Sequence, residues 1–229
     1  MSEVFLVSDT WTGTFAGAAA GILVMSGVSN PPSDPALDAN KAQLENQLRR
    51  RFAGCTRAML REVPVLQAYD AYYGRFKKTY HVQLQLESVV LKGKPIPRVA
   101  ALVEAMFMAE LKNLLLTAGH DFDVVQPPVR LGVSAGSERY TLQNGQEQVL
   151  TAGDMLMVDR EGVISSVLHG PDQRTWITPE TQNVFFAVYA PAGIGEQAVR
   201  QHLQDIRDNI MLFSPSAKVA GLDVVQAKL

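Results

Sequence analysis

Cysteine is all but missing from this sequence: Cys55 stands alone among 229 residues. That excludes an internal disulfide framework and a multi-cysteine zinc cluster, and it suits a reducing cytoplasm. An excess of positive charge is missing too. The 21 Lys and Arg face 23 Asp and Glu, for a net charge of −2 and a pI near 6.1. A strongly cationic nucleic-acid binder would show a basic surplus, although a local basic patch remains compatible with this balance. Membrane-length apolar runs are also lacking. The stretch Phe15 to Val28 is rich in Gly and Ala and falls short of the roughly 20 residues a bilayer requires. Met1-Ser2-Glu3 lacks the basic region of a secretory signal. The expectation is a soluble cytoplasmic chain with no membrane partner.

Phosphate-loop and zinc-protease motifs are absent as well. There is no GxGxxG, no GxxxxGK[ST] and no HExxH. The four histidines, His81, His120, His169 and His202, are not spaced for a local metal site. No metal and no cofactor is expected.

What the sequence does have is apolar mass, 47% of residues, enough for a domain of this length to bury roughly 70% of its unfolded surface. The centre of organisation is Lys94 to Asp123. Val99, Leu102, Val103, Met106, Phe107, Leu111, Leu114 and Leu115 recur at three- and four-residue steps and predict a helix. Pro97 suits its first turn and Gly119 its stop. Only Glu104, Glu110, Lys112 and Asn113 interrupt the apolar surface, in different directions, so the helix belongs inside a domain.

The flanking chain reads in two textures. Before the central helix, Val4–Val7 and Ile22–Met25 predict strands. Asp34 and Pro35 open a helix marked by Leu37, Lys41, Leu44, Leu48 and Phe52, with Arg49-Arg50-Arg51 near its end. Pro64 to Tyr73 predicts a helix closed by Gly74. His81 to Lys92 fits either period; Gly93 as a C-terminal stop favours helix. After Asp123 the pattern turns to strands. Val129–Val133 alternates, and Asn144-Gly145 marks a hairpin between Tyr140–Leu142 and Gln148–Leu150. Met155–Val158 and Val163–Leu168 make a second hairpin, and the nearly all-apolar Val184–Tyr189 predicts a central strand. Gly195 to Met211 returns to helix, and the tail from Ser214 is weakly patterned. This order predicts an α+β fold, an antiparallel sheet or sandwich core with a buried central helix and flanking helices, in one domain spanning 1–229.

Three side chains stand out as candidate catalytic groups. His120 falls at the boundary between the central helix and the sheet, and His169 ends the Val163–Leu168 strand; both fit the same end of the sheet, and both also fit ordinary hydrogen-bonded loop positions. Glu104 is a carboxylate within an apolar helix and must find partners. It fits a functional group or a structural hydrogen bond to a nearby loop backbone.

The runs Val103-Glu104-Ala105-Met106-Phe107 and His120-Asp121-Phe122-Asp123 carry a family likeness. So do Arg130-Leu131 through Gly136-Ser137-Glu138, Leu142-Gln143-Asn144-Gly145, and Thr178 through Thr181-Gln182-Asn183. Together, over roughly 66–191, they resemble the B3/B4 domain of the phenylalanyl-tRNA synthetase β subunit, and most of all the stand-alone B3/B4 proteins; 1–65 and 192–229 would be extensions. In the synthetase this domain edits tyrosine mistakenly attached to the phenylalanine tRNA. Nothing here resembles the aminoacylation domain. The resemblance implies binding of tRNA or aminoacyl-tRNA and hydrolysis of a mischarged ester, with His120 retained and Glu104 or His169 assisting. The family's Thr-Asn pair falls on Met106 and Phe107, its acidic residue on Ala187, and its Gly-x-x-Gly turn on Val167-Leu168-His169-Gly170. A pocket of Met106, Phe107, Val167, Leu168, Gly170 and Ala187 would take a bulky apolar or aromatic group. Arg75, Lys77, Lys78, Lys92 and Lys94 are the candidate RNA contacts. The alternative is a non-catalytic binder of an amino-acid-like small molecule in the same pocket.

Overall fold

The computed structural model of the chain describes residues 4–228. In chain order the elements are β1 (Phe5–Val7), α1 (Asp9–Thr14), β2 (Ala19–Ser26), α2 (Pro35–Arg51), α3 (Arg57–Leu60), α4 (Pro64–Gly74), α5 (His81–Val90) and α6 (Ala101–Asn113). There follow β3 (Leu116–Asp121), β4 (Val129–Val133), β5 (Arg139–Thr141), β6 (Glu147–Val149), β7 (Met155–Val158), β8 (Val163–Ser166), β9 (Gly170–Pro171), β10 (Asn183–Ala190), α7 (Glu196–Met211) and β11 (Lys218–Gln226). The fold is α+β, as the sequence pattern implies.

The described strands form a five-stranded sheet ordered β1-β4-β7-β8-β9, a four-stranded sheet ordered β11-β2-β10-β3, and the β5–β6 hairpin. Pairing is antiparallel apart from β1 with β4. β10 is an interior strand and buried from Val184 to Ala190, which explains its continuous apolar run. One face of the four-stranded sheet carries α6 and α7. A Cβ at Gly21 of β2 would lie 2.7 Å from Val199 and 2.9 Å from Leu203, so this small residue lets α7 sit directly on the sheet. The opposite face meets the five-stranded sheet, where Ser165 of β8 bonds Tyr189 of β10 at 2.6 Å.

Local chemistry fixes the helix ends. The Asp34 carboxylate accepts the N–H groups of Ala36 and Leu37 at 2.8 and 3.1 Å, with Pro35 in the first turn. α6 is shorter than its apolar pattern predicts. Pro97 precedes it, and Leu114, in the left-handed region at φ 62°, ends it. Gly119 is no helix stop; it lies within β3, hydrogen-bonded to β10. An apolar run that is buried on all sides has no period to distinguish helix from strand, and Leu114–Gly119 continues the composition of α6 without a break. Among the described residues no helix is long and apolar enough to cross a membrane.

Candidate functional site

The turn at Leu114 folds β3 back beside α6 and leaves a cavity of about 480 Å³ between them. Val103, Met106, Phe107 and Glu110 line it from α6, at the spacing of a single helical face. Leu116 to Gly119 form the β3 wall. Gly170, Pro171, Trp176 and Ile177 close another side, and Asn30, His81 and Gln143 add polar groups. Gly119 is required by space. A Cβ there would come within 2.9 Å of Ile177, 3.2 Å of Phe186 and 3.3 Å of the Met106 sulfur. Asn30 ties the rim together: its side chain accepts from the Leu102 N–H at 3.0 Å and donates to the Thr178 carbonyl at 2.9 Å. Trp176 is 46% exposed.

The one acid lining this apolar space is Glu110. Its Oε1 accepts the Thr117 N–H at 2.7 Å. Burial pushes its pKa up to about 8, so the neutral form dominates at pH 7. Beside it, the Thr117 hydroxyl lies 2.6 Å from His202 Nε2. His202 is fully buried, and burial holds its pKa down to about 3. The Asn113 amide nitrogen donates to Asp205 at 2.8 Å and lies 3.2 Å from His202 Nδ1. In the tautomer whose Nδ1 accepts from Asn113, Nε2 carries the proton and donates to Thr117, and the Thr117 O–H is then free to donate.

The candidate catalytic residues do not come together. His120 belongs to β3, but alternation turns it away from Gly119 and the cavity, into the space between the sheets, where it is fully buried. Its Nδ1 lies 2.7 Å from the Thr175 hydroxyl, which donates to Asp172, and its Nε2 lies 3.2 Å from Ser165. The ring also packs against Phe185. Burial, reinforced by the Arg174 guanidinium, holds its pKa down to about 3. An imidazole that is neutral, bonded at both nitrogens and sealed from every described cavity is a structural group. Glu104 is a fastening. Its Oε2 meets Lys41 Nζ of α2 at 2.6 Å, and its Oε1 accepts the Val99 N–H at 2.8 Å just before α6 begins. His169 borders a separate shallow cleft with Leu142, Gln143, Asn144 and Pro171, next to the main cavity; burial and the Lys78 charge lower its pKa.

Of the anticipated pocket residues, Met106, Phe107 and Gly170 line the cavity. Val167 is in the core, its carbonyl accepting from Tyr73, and Leu168 is anchored through its N–H to Asp154. Ala187 lies within β10, paired with Ile22 and Ala118. The basic residues divide. Lys77 and Lys78 precede α5, whereas Lys92 and Lys94 follow it, separated by a helix about 15 Å long. Arg75 packs over the rings of Phe15, Tyr72 and Phe76. Glu110, Thr117, His81 and Trp176 are cavity residues that the sequence pattern does not assign to the site. Glu110 had a signal, since it follows Met106 and Phe107 on the same helical face; Trp176, in an irregular loop, had none.

The comparisons with known proteins agree with this architecture. Among solved structures, an N-terminal fragment of the phenylalanyl-tRNA synthetase β-subunit from Pyrococcus horikoshii superposes with a TM-score of 0.51 at 14% identity. The superposition covers 94% of this chain and 50% of that fragment, so the present chain spans about half its length. At that identity the likeness is one of fold. No curated protein matches the sequence. The model of the B3/4 domain matches residues 68–208, from α4 through the cavity-forming α6 and β3 and into α7, and on that match the chain belongs to the B3/4 domain family.

Proposed function

We propose that this single-domain chain takes the aminoacyl end of an aminoacyl-tRNA, seats a bulky apolar or aromatic amino-acid side chain in the α6–β3 cavity, and hydrolyses the ester. The observation that carries this reading is Glu110, a carboxyl group with a raised pKa and the one acid lining a mostly apolar cavity. At pH 7 its neutral form can donate to a ligand oxygen. The fraction ionised near pH 8 can accept a proton from an attacking water. The Thr117 O–H, directed by His202, supplies a second donor for the carbonyl oxygen. Trp176 at the rim offers its exposed face to the terminal nucleobase. Lys78, close to the rim at His169, adds positive charge for the phosphate backbone.

The test is a deacylation screen over tRNAs mischarged with different amino acids. Wild type should release bulky apolar or aromatic amino acids, at rates that rise between pH 7 and 8. Glu110→Gln should cut the rate by about 100-fold, in line with the loss of a proton-transfer group. Unchanged deacylation in Glu110→Gln would refute the assignment. The apolar lining also favours a second reading, a binder of free amino-acid-like molecules. It predicts salt-insensitive binding of the free amino acid and no turnover, whereas tRNA binding should weaken steeply with salt.

A further inference from the structure

At the end of α4, Arg75 sits in an unusual setting. Its guanidinium carbon lies 5.6 Å from the centre of the Phe15 ring, 5.8 Å from Tyr72 and 5.4 Å from Phe76. The rings pack on one another, Phe15 to Tyr72 at 6.0 Å and Tyr72 to Phe76 at 5.5 Å. Phe15 and Tyr72 are buried. All three distances fall within cation–π range, so the guanidinium is held in one place before any ligand arrives.

Arg75 also borders a cavity of about 320 Å³, separate from the α6–β3 site. Ala16, Ala18, Ala68, Ala71, Met155 and Pro191 give it a small-residue apolar wall, and Thr14 adds a hydroxyl. No acid lines it. Among the described residues Arg75 has no carboxylate partner. The arginines bordering the cleft near Tyr140 differ: Arg139 is paired with Glu147, and Arg174 with Asp159 and Glu161. A fixed, uncompensated guanidinium beside an apolar hollow complements an anion with an apolar body, and its planar fork matches a carboxylate bidentately.

We propose that this hollow is a second ligand site, taking a small monocarboxylate whose branched aliphatic or aromatic body rests against the alanines while Arg75 holds the carboxylate. The site shares no lining residue with the α6–β3 cavity and does not depend on what that cavity binds.

The test is an amide NMR titration of the full chain with isovalerate, phenylacetate, the neutral isovaleramide and inorganic phosphate. The carboxylates should produce saturable shifts at Thr14, Ala68 and Ala71. Isovaleramide should bind about tenfold more weakly or worse, as loss of a charge-assisted pair implies. Arg75 is exposed, so Arg75→Gln removes the charge without opening the core, and it should weaken carboxylate binding to the level of the amide. Arg75→Lys should fall between. Absence of saturable shifts, equal binding by amide and carboxylate in the wild type, or undiminished binding in Arg75→Gln would each overturn the site. Phosphate binding as tight as isovalerate would overturn the assigned ligand class.

Discussion

Two glutamates on α6 show how little residue type says about role. Glu104 and Glu110 are both buried in an apolar helix. Glu104 is neutralised by Lys41, whereas Glu110 meets only a backbone N–H and the cavity. That contrast has a pH signature. The Glu110 pKa rises from 4.5 to about 8 on folding, so between those values the native state holds a proton that the unfolded state has lost. Stability contributed by the neutral carboxyl is present below pH 4.5 and lost as pH rises towards 8. Glu110→Gln keeps the shape and hydrogen-bonding capacity of the neutral acid without titrating. Urea unfolding should therefore show wild type losing about 4 kcal/mol relative to Glu110→Gln between pH 5 and pH 9. Parallel pH profiles for the two proteins would show that Glu110 is not desolvated. The sequence placed both acids inside a buried helix, but it could not say which would find a cation. Lys41 lies 63 positions from Glu104, and their meeting depends on how α2 crosses α6. His120 illustrates the same limit. Its place next to the central apolar run was legible, yet a shift of one position in a strand decides whether a side chain meets a cavity or a core.

At the scale of elements, α6 and α2 are joined by the Lys41–Glu104 pair, 2.6 Å apart, with Asp38 a further 3.3 Å from the ammonium. Glu104 also receives the N–H of Val99, so one carboxylate fixes both the start of α6 and its contact with α2. Removing Glu104 leaves the buried Lys41 ammonium with only the partly exposed Asp38 carboxylate, and removing Lys41 leaves Glu104 buried without a cation. Glu104→Ala should cost about 3–5 kcal/mol in denaturant unfolding. Lys41→Met combined with Glu104→Leu should cost clearly less than Glu104→Ala, because apolar residues of similar volume leave no orphan charge. A double variant as damaged as the single would mean that geometry at Val99, and not charge, secures the junction. The elements themselves were legible wherever a polar face or a turn residue gave contrast. Asp34-Pro35 opened α2, Asn144-Gly145 marked the β5–β6 turn, and the polar stripe of α7 fixed its helical period. The boundary between α6 and β3 gave no such contrast. It rests on Leu114 at positive φ, a conformation that leucine rarely adopts and that no propensity rule would assign to it.

At the scale of the molecule, the two ends of the described chain complete the two sheets. β1 pairs with β4 at the edge of the five-stranded sheet, and β11 pairs with β2 from Ala19 to Ser26. The tail's sequence concealed β11 because both of its faces are only partly covered, Leu222 and Val224 meeting the core from one and Val225 from the other. Val224 is buried while Val219 is 44% exposed, and the pairing shifts register between Val219 and Gly221. The register shift breaks the alternation that would reveal a strand. Its partner explains why the strand is needed. β2 is apolar and buried along nearly its whole length, and without β11 its backbone would form a long, flat, hydrophobic edge. α7 would lose part of its bed as well, since it packs on both strands. A chain ending at Ser216 should therefore melt at least about 10 °C lower and form higher-order species in size-exclusion chromatography, as a newly exposed apolar edge recruits other chains. Lysine substitutions at Ala20 or Ile22 would not repair it, because both side chains are already buried within the sheet. A monomeric truncated chain with an unchanged melting temperature would mean that the β2 edge is protected by something other than β11, and that the four-stranded sheet is in energetic terms a three-stranded one.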